Sequence, residues 1–456
     1  MPSRIVVATL GSLGDTYPYF AVATALKKRG HDVVITAQTR HREHIESLGI
    51  KFARLRPEPK PVSEELAKLA MDRWRGSETV LRDILLASVA ETYEDLLAAA
   101  HNADLLVTHV LVLPAPLLAR KTGIPWVSSA LTPAYFLQAG NGKKHQEWLK
   151  PYRKLEADLG LPPGGDPVFS EQYSSERVLV LASKLLAQSQ PHAAERTWMT
   201  KPRFLIPKLF GKQRPHWPVR QWITAAPKIL SRLFASYPQP QWPSHVHFTG
   251  FPFFETEEVP VETARRLDDF LSAGSAPIVF TLGSSGGHMG GRFFTESVRA
   301  AKLLGRRALL ITGGSSEPPR GEWDQGRDLA VFRYVPYNRV FRRSSAVVHS
   351  GGIGTTALAL RAGRPMLVVP ISHDQPDTAA RVCHLGVARV IPHAYYEARW
   401  AAAELRAILE NPKYARTASH LARQIQSEDG VRSACDAIEQ HLARTRAHAF
   451  ALGASG

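Results

Sequence analysis

One short unit occurs twice in this chain. An apolar run at 4–10, RIVVATL, ends in the loop GSLGDTYP, and a second run at 277–282, PIVFTL, ends in GSSGG. The letters TLGS recur at 9–12 and 281–284, each time in the order strand, glycine-rich loop, helix, strand. These segments fall at 4–10, 11–17, 18–29 and 32–37 in the first case, and at 277–282, 283–291, 292–304 and 307–312 in the second. The repeat predicts two doubly wound α/β halves with parallel sheets.

Further strand signals at 104–108, 125–129, 177–181, 330–335, 345–349 and 365–371 alternate with helix-length segments, as parallel sheets require. A chain of 456 residues suits two domains of about 200 residues each. The proline-rich run YPQPQWPSHVHFTGFPFF at 237–254 marks the passage between them. We therefore expect a first domain over 1–240, a linker over 241–258, a second domain over 259–428 and a final helix with its tail over 429–456. Helices are expected at 401–410, 413–427 and 430–446. Ligands of such sheets bind beyond the carboxyl ends of the strands, so a two-sheet protein works in the cleft between its domains.

Composition narrows the setting. Cys383 and Cys435 offer neither a disulfide framework nor metal-ligand spacing, and suit packing in a reducing compartment. The N-terminus runs straight into a strand without the pattern of a signal peptide, and the apolar stretch at 105–119 is broken by His109, Pro114 and Pro116. A cytoplasmic protein is expected. The formal charge is 57 − 41 = +16, which favours anionic partners. From Arg196 to Phe254 there is no Asp or Glu, while cations such as Lys201, Arg203, Lys208 and Lys212 lie among Trp198, Trp217, Trp222 and Trp242. A solvated surface fits this stretch, and so does peripheral contact with an anionic membrane, the inner face included.

The densest chemistry lies at 349–377, HSGGIGTTALALRAGRPMLVVPISHDQPD. Gly351, Gly352 and Gly354 let the backbone approach a phosphate, and the amides opening the following helix add free donors at a positive dipole end. His349 adds a donor, neutral or cationic. This segment reads as a site for an anionic, diphosphate-bearing ligand.

With GSLGDTYPYF at 11–20, TGFPFF at 249–254, VFTLGSS at 279–285 and YVP at 334–336, the segment resembles the donor signature of the UDP-glycosyltransferase (GT1) superfamily, whose fold is GT-B: two Rossmann-like domains facing a cleft. Within it the likeness is greatest to bacterial rhamnosyltransferases of rhamnolipid synthesis and to antibiotic glycosyltransferases. The resemblance implies that His349 and the backbone from Gly351 to Thr355 and Thr356 hold the diphosphate, that Tyr334, with Val335 beside it, meets the base, and that Asp374 and Gln375 bond the sugar. Gly14, Ser284 and Ser285 would border the same ligand. It also implies that the final helix crosses back onto the first domain. One departure stands out: where many relatives carry a ribose-binding Glu, this chain has Ala357. A thymidine diphosphate lacks the 2′-hydroxyl that would go unpaired, so the change tilts the expectation toward such a donor.

Several of these residues read two ways. Asp15 is either a helix-start cap or, by the resemblance, the base that takes the acceptor's proton. His109 is either a satisfied core histidine or a partner of Asp15. Ser284 and Ser285 are either turn residues or phosphate ligands, and Tyr334 either a strand-end aromatic or a stacking platform.

The resemblance thus implies an inverting, metal-independent hexosyltransferase with no resident cofactor. It would move a sugar from a nucleotide-sugar donor (dTDP-rhamnose-like or UDP-glucose-like) to a hydroxyl of a hydrophobic small molecule or lipid. A UDP-sugar epimerase of the same fold and a non-catalytic nucleotide-sugar binder remain as alternatives. A nucleic-acid partner fits the charge but leaves the glycine loops and the HDQP turn unexplained, and is not expected.

Overall fold

The computed structural model describes residues 2–58, 69–72, 75–133, 143–168, 170–189, 242–254, 259–284, 290–313 and 327–453. Ser285 and most of the basic stretch lie outside the described residues.

The first sheet contains β1 (Arg4–Ala8), β2 (Asp32–Ala37), β3 (Lys51–Arg54), β4 (Leu105–His109), β5 (Trp126–Ala130), β6 (Val178–Val180) and β7 (Val246–Phe248), in the order β3-β2-β1-β4-β5-β6-β7. The second contains β8 (Ile278–Thr281), β9 (Ala308–Ile311), β10 (Leu329–Phe332), β11 (Ala346–His349), β12 (Met366–Val368) and β13 (Ala388–Val390), in the order β10-β9-β8-β11-β12-β13. Every pairing is parallel. The architecture is GT-B, two doubly wound domains in which the same strand order is used twice.

Why these runs become strands follows from burial on both faces. Ile5 and Val7 pack with Tyr19 and Phe20 on one side of β1, while Val6 and Ala8 meet Leu86 and Tyr93 on the other. All five residues of β4 and all four of β8 and β11 are buried, so neither face can carry a charged residue cheaply. In each sheet the strand order reverses beside its first strand, between β1 and β4 and between β8 and β11. The crevice of a doubly wound sheet opens at that reversal.

Two expectations need correction. β7 lies inside the span expected as linker and pairs with β6, extending the first sheet to Phe248. Proline-rich flanks hid a short edge strand, and the passage to the second domain begins after it. The first helix runs over Leu13–Lys28, five residues earlier than expected. Pro18 is therefore inside it and not in its first turn; with no N–H to offer, Pro18 leaves the Gly14 carbonyl without its intrahelical donor.

The final helix, Gly430–Gly453, packs against the first domain. Arg29 reaches Asp436 (2.7 Å) and Glu439 (2.6 Å), and His31 reaches Glu439 (3.0 Å). The chain's two passages between domains touch: a Cβ on Gly430 would lie 2.4 Å from the Phe251 carbonyl carbon, so only glycine fits. Beside it the Ser183 hydroxyl donates to Glu428 across 2.6 Å, and burial pushes the Glu428 carboxyl up. Cys435 is buried, Cys383 is half-buried, and neither forms a disulfide. No helix among the described residues is long and apolar enough to cross a membrane.

Candidate active site

The cleft is built from four strand ends. After β8 the chain turns at Gly283 (φ +72°) into Ser284, which is exposed. After β11 it turns at Gly351 (φ +91°), a conformation L residues rarely adopt, where a Cβ would lie 2.9 Å from Val368 and 3.1 Å from the Gln375 carbonyl. The two loops lie side by side: a Cβ on Gly283 would be 3.5 Å from Thr355 Oγ1, and Ser350 Oγ donates to the Leu282 carbonyl across 3.0 Å.

Gly352 caps the helix Ile353–Arg361, and a Cβ there would meet nothing within 4 Å, so the cap faces open space. The amides of Ile353, Gly354 and Thr355 lack intrahelical acceptors by position, whereas Thr356 commits both its amide (3.0 Å) and its hydroxyl (2.9 Å) to the Gly352 carbonyl. Thr356 therefore shapes the helix start while its three predecessors offer donors.

His349 ends β11 and is fully buried. Its Nδ1 accepts from the Gly351 amide at 3.1 Å, which puts the proton on Nε2, and Nε2 has no partner among the described residues. Burial lowers its pKa to about 3. Of the two states expected, the ring is the neutral one, a fixed N–H donor rather than a cation.

From the first domain, Ser12 opens the helix Leu13–Lys28, and its amide (2.7 Å) and hydroxyl (2.9 Å) both donate to Asp15 Oδ2. Asp15 is thus a genuine cap. Gly11 (φ +126°) makes room for it, since a Cβ there would sit 2.5 Å from Oδ2. Oδ1 takes no hydrogen bond among the described residues. His109 ends β4, fully buried, and its Nδ1–H donates to the Leu10 carbonyl at 3.2 Å, leaving Nε2 as the acceptor of a neutral ring. Burial lowers its pKa, with Asp15 and the Leu10 bond opposing. Tyr19 packs on this ring and bonds Ser129 (2.8 Å), whose hydroxyl in turn donates to the Thr108 carbonyl.

The two helix starts meet. A Cβ on Gly354 would lie 3.5 Å from Gly14 Cα, so the Gly351–Gly354 loop of one domain abuts the Asp15 loop of the other. Asp374, at the start of the helix Gln375–His384, completes the wall. Its carboxyl is pushed up to about 7, first by desolvation and then by the Asp15 carboxylate. Its side chain caps nothing, and Gln375 Oε1 instead accepts from the Ile371 (2.9 Å) and Ser372 (3.3 Å) amides, tying down the turn and leaving the Gln375 amide group for a ligand. Tyr334 is 40% exposed and Val335 fully buried, so of the pair only the tyrosine ring presents a surface.

Sequence reasoning missed three members. His373 holds φ +58°, unfavourable for a bulky residue, and its Nδ1 meets Ser77 Oγ of the first domain at 3.2 Å. Arg40 donates to the Gly11 carbonyl at 2.5 Å and faces Asp15. Ser350 is buried between the two glycine loops. A left-handed histidine and a cross-cleft bond leave no local pattern, although the position of Ser350 inside the glycine loop was visible.

Two doubly wound parallel sheets facing one cleft define the GT-B fold. Comparisons agree. Residues 5–119 match the Glycosyltransferase family 28 N-terminal domain, and residues 327–436 match the Erythromycin biosynthesis protein CIII-like C-terminal domain. The O-mycaminosyltylonolide 6-deoxyallosyltransferase of Streptomyces fradiae is 28% identical over 477 residues, covering 98% of this chain and 99% of that one. The glycotransferase of kitacinnamycin superposes with a TM-score of 0.68 at 20% identity, covering 97% of this chain and all of its own, or 100%. The spinosyn rhamnosyltransferase SpnG complexed with thymidine diphosphate superposes at 0.60 with 18% identity, covering 95% and 98%. The protein is a glycosyltransferase, with segments that match a family 28 N-terminal domain and a CIII-like C-terminal domain.

Proposed function

We propose that the enzyme inverts the sugar it transfers, from a thymidine diphosphate donor to a hydroxyl of an apolar acceptor held by the first domain. The observation that carries this reading is the contact of the Asp15 loop with the Gly354 helix start. On this reading a proton acceptor and a pyrophosphate cradle lie on opposite sides of one small space.

Asp15 Oδ1 takes the acceptor's proton while Oδ2 stays bonded to Ser12, so the base is fixed before substrate arrives. The acceptor oxygen attacks the anomeric carbon from the face opposite the leaving pyrophosphate. Negative charge then gathers on that pyrophosphate, where His349 Nε2–H, the Gly354 and Thr355 amides and Ser284 point; donors set in advance favour this charge over the ground state. These groups meet the charge without a metal ion. Asp374 and the Gln375 amide bond the sugar hydroxyls, and Tyr334 stacks on the base.

Ala357 supports the choice of nucleotide: it is buried and carries no group for a 2′-hydroxyl. The thymidine diphosphate bound by the spinosyn relative points the same way. The basic stretch at 196–254 suits an anionic membrane face from which an apolar acceptor could be drawn. Sedimentation with anionic liposomes at low salt checks this; protein left in the supernatant removes it.

A thermal-shift panel of thymidine, uridine and guanosine diphosphates tests the donor. At a hundredfold excess over Kd a ligand adds about 2.7 kcal/mol, several degrees in a protein of this size. The thymidine nucleotide is expected to give the largest shift, and a preference for uridine or guanosine would overturn the Ala357 argument.

A further inference from the structure

His109 and His349 occupy matching places. Each is the last residue of the strand beside its sheet's first strand, each is fully buried, and each lies next to a Thr-Leu-Gly-Ser turn. Their rings are nonetheless protonated on opposite nitrogens. In the first domain the carbonyl of Leu10 accepts from His109 Nδ1. In the second, the matching carbonyl, that of Leu282, is taken by the Ser350 hydroxyl at 3.0 Å. The residue after His109 is Val110, which has no hydroxyl to offer.

We propose that Ser350 is a positioning residue that sets the tautomer of His349. With the Ser350 hydroxyl on the Leu282 carbonyl, His349 Nδ1 instead receives the Gly351 amide at 3.1 Å. The ring's single proton is thereby kept on Nε2, the atom read above as the donor to the pyrophosphate. The first domain shows what a histidine at this position does when no serine competes: it turns Nδ1–H to the leucine carbonyl and leaves Nε2 unprotonated, a state that in the second domain would repel an anion. Ser350 is 3% exposed and its hydroxyl is held by the Leu282 carbonyl, so its effect passes through the ring.

The inference rests on the role assigned to His349, but its first readout does not. Nitrogen-15 NMR of the histidine rings in the ligand-free protein distinguishes the two tautomers, and His349→Gln identifies the signal. In wild type His349 is expected as Nε2–H. In Ser350→Ala the Nδ1–H form should appear, and affinity for thymidine diphosphate should fall about three- to tenfold, the range for one hydrogen bond. Ser350→Thr, which keeps the hydroxyl, should restore both. A wild-type tautomer in Ser350→Ala overturns the inference whatever the affinity does. A changed tautomer with unchanged affinity overturns the part that ties it to the donor, and with it the reading of His349.

Discussion

The two domains share a strand order and a turn sequence, yet they present opposite chemistry to the cleft. The first offers the Asp15 carboxylate as acceptor, with His109 protonated on Nδ1. The second offers donors: His349 Nε2–H, the amides opening the Ile353–Arg361 helix and the Ser284 hydroxyl. Few residues make the difference. Counted in sequence from the shared TLGS units, Gly287 stands where Asp15 stands, and counted from the strand-end histidines, Ser350 stands where Val110 stands. On the proposed reading a duplicated scaffold divides a transfer reaction, one half drawing a proton from the nucleophile and the other stabilising the departing anion.

The contrast can be broken most severely at Asp15. Asp15→Asn keeps an oxygen for the Ser12 bonds, so the cap survives at a cost of about 1 kcal/mol or less. Loss of the base should lower kcat about a hundred- to ten-thousandfold with donor affinity near wild type. Turnover equal to wild type removes Asp15 from the mechanism. His349→Ala should act on the other side, weakening thymidine diphosphate by about tenfold to a hundredfold in calorimetry, as loss of a hydrogen bond to a charged group does. His109→Leu should lower kcat by about tenfold and leave that affinity unchanged. If it weakens the nucleotide as much as His349→Ala, the two histidines are not divided as described.

A smaller effect tests the crowding of carboxylates at the meeting point. The Asp374 carboxyl in the folded protein keeps its proton up to about 7, against an ordinary 3.8. A raised acid pKa means that the folded state binds the extra proton between these values. Stability is therefore lost as pH rises from about 4 to 7, and the penalty is complete above. Asp374→Asn should raise Tm by a few degrees at pH 8 and by almost nothing at pH 4.5. An equal gain at both pH values would mean that the carboxylate is not burdened by burial and Asp15.

Much of this was legible in the residues because buried parallel strands cannot hide: RIVVATL, PIVFTL and the run before His349 have no solvent face on which to place charge. Three of the four edge strands were not. Lys51–Arg54 is exposed at both ends, Val246–Phe248 sits among prolines, and Ala388–Val390 is three residues long, so none has a periodicity to read. At the site, glycine turns advertise their backbone needs, and His349 was found beside them. The proton's place on its ring was not, since that depends on which group holds the Leu282 carbonyl, a contact spanning 68 residues. The left-handed His373 and its bond to Ser77 are likewise set by the other domain.

The central claim is that the loop opening at His349 holds the leaving pyrophosphate. A crystal structure with thymidine diphosphate tests it most directly. We predict pyrophosphate oxygens within hydrogen-bonding distance of His349 Nε2 and the Gly354 and Thr355 amides, facing Asp15 across the cleft. Pyrophosphate bound away from that turn, or with His349 Nε2 directed elsewhere, would contradict the account.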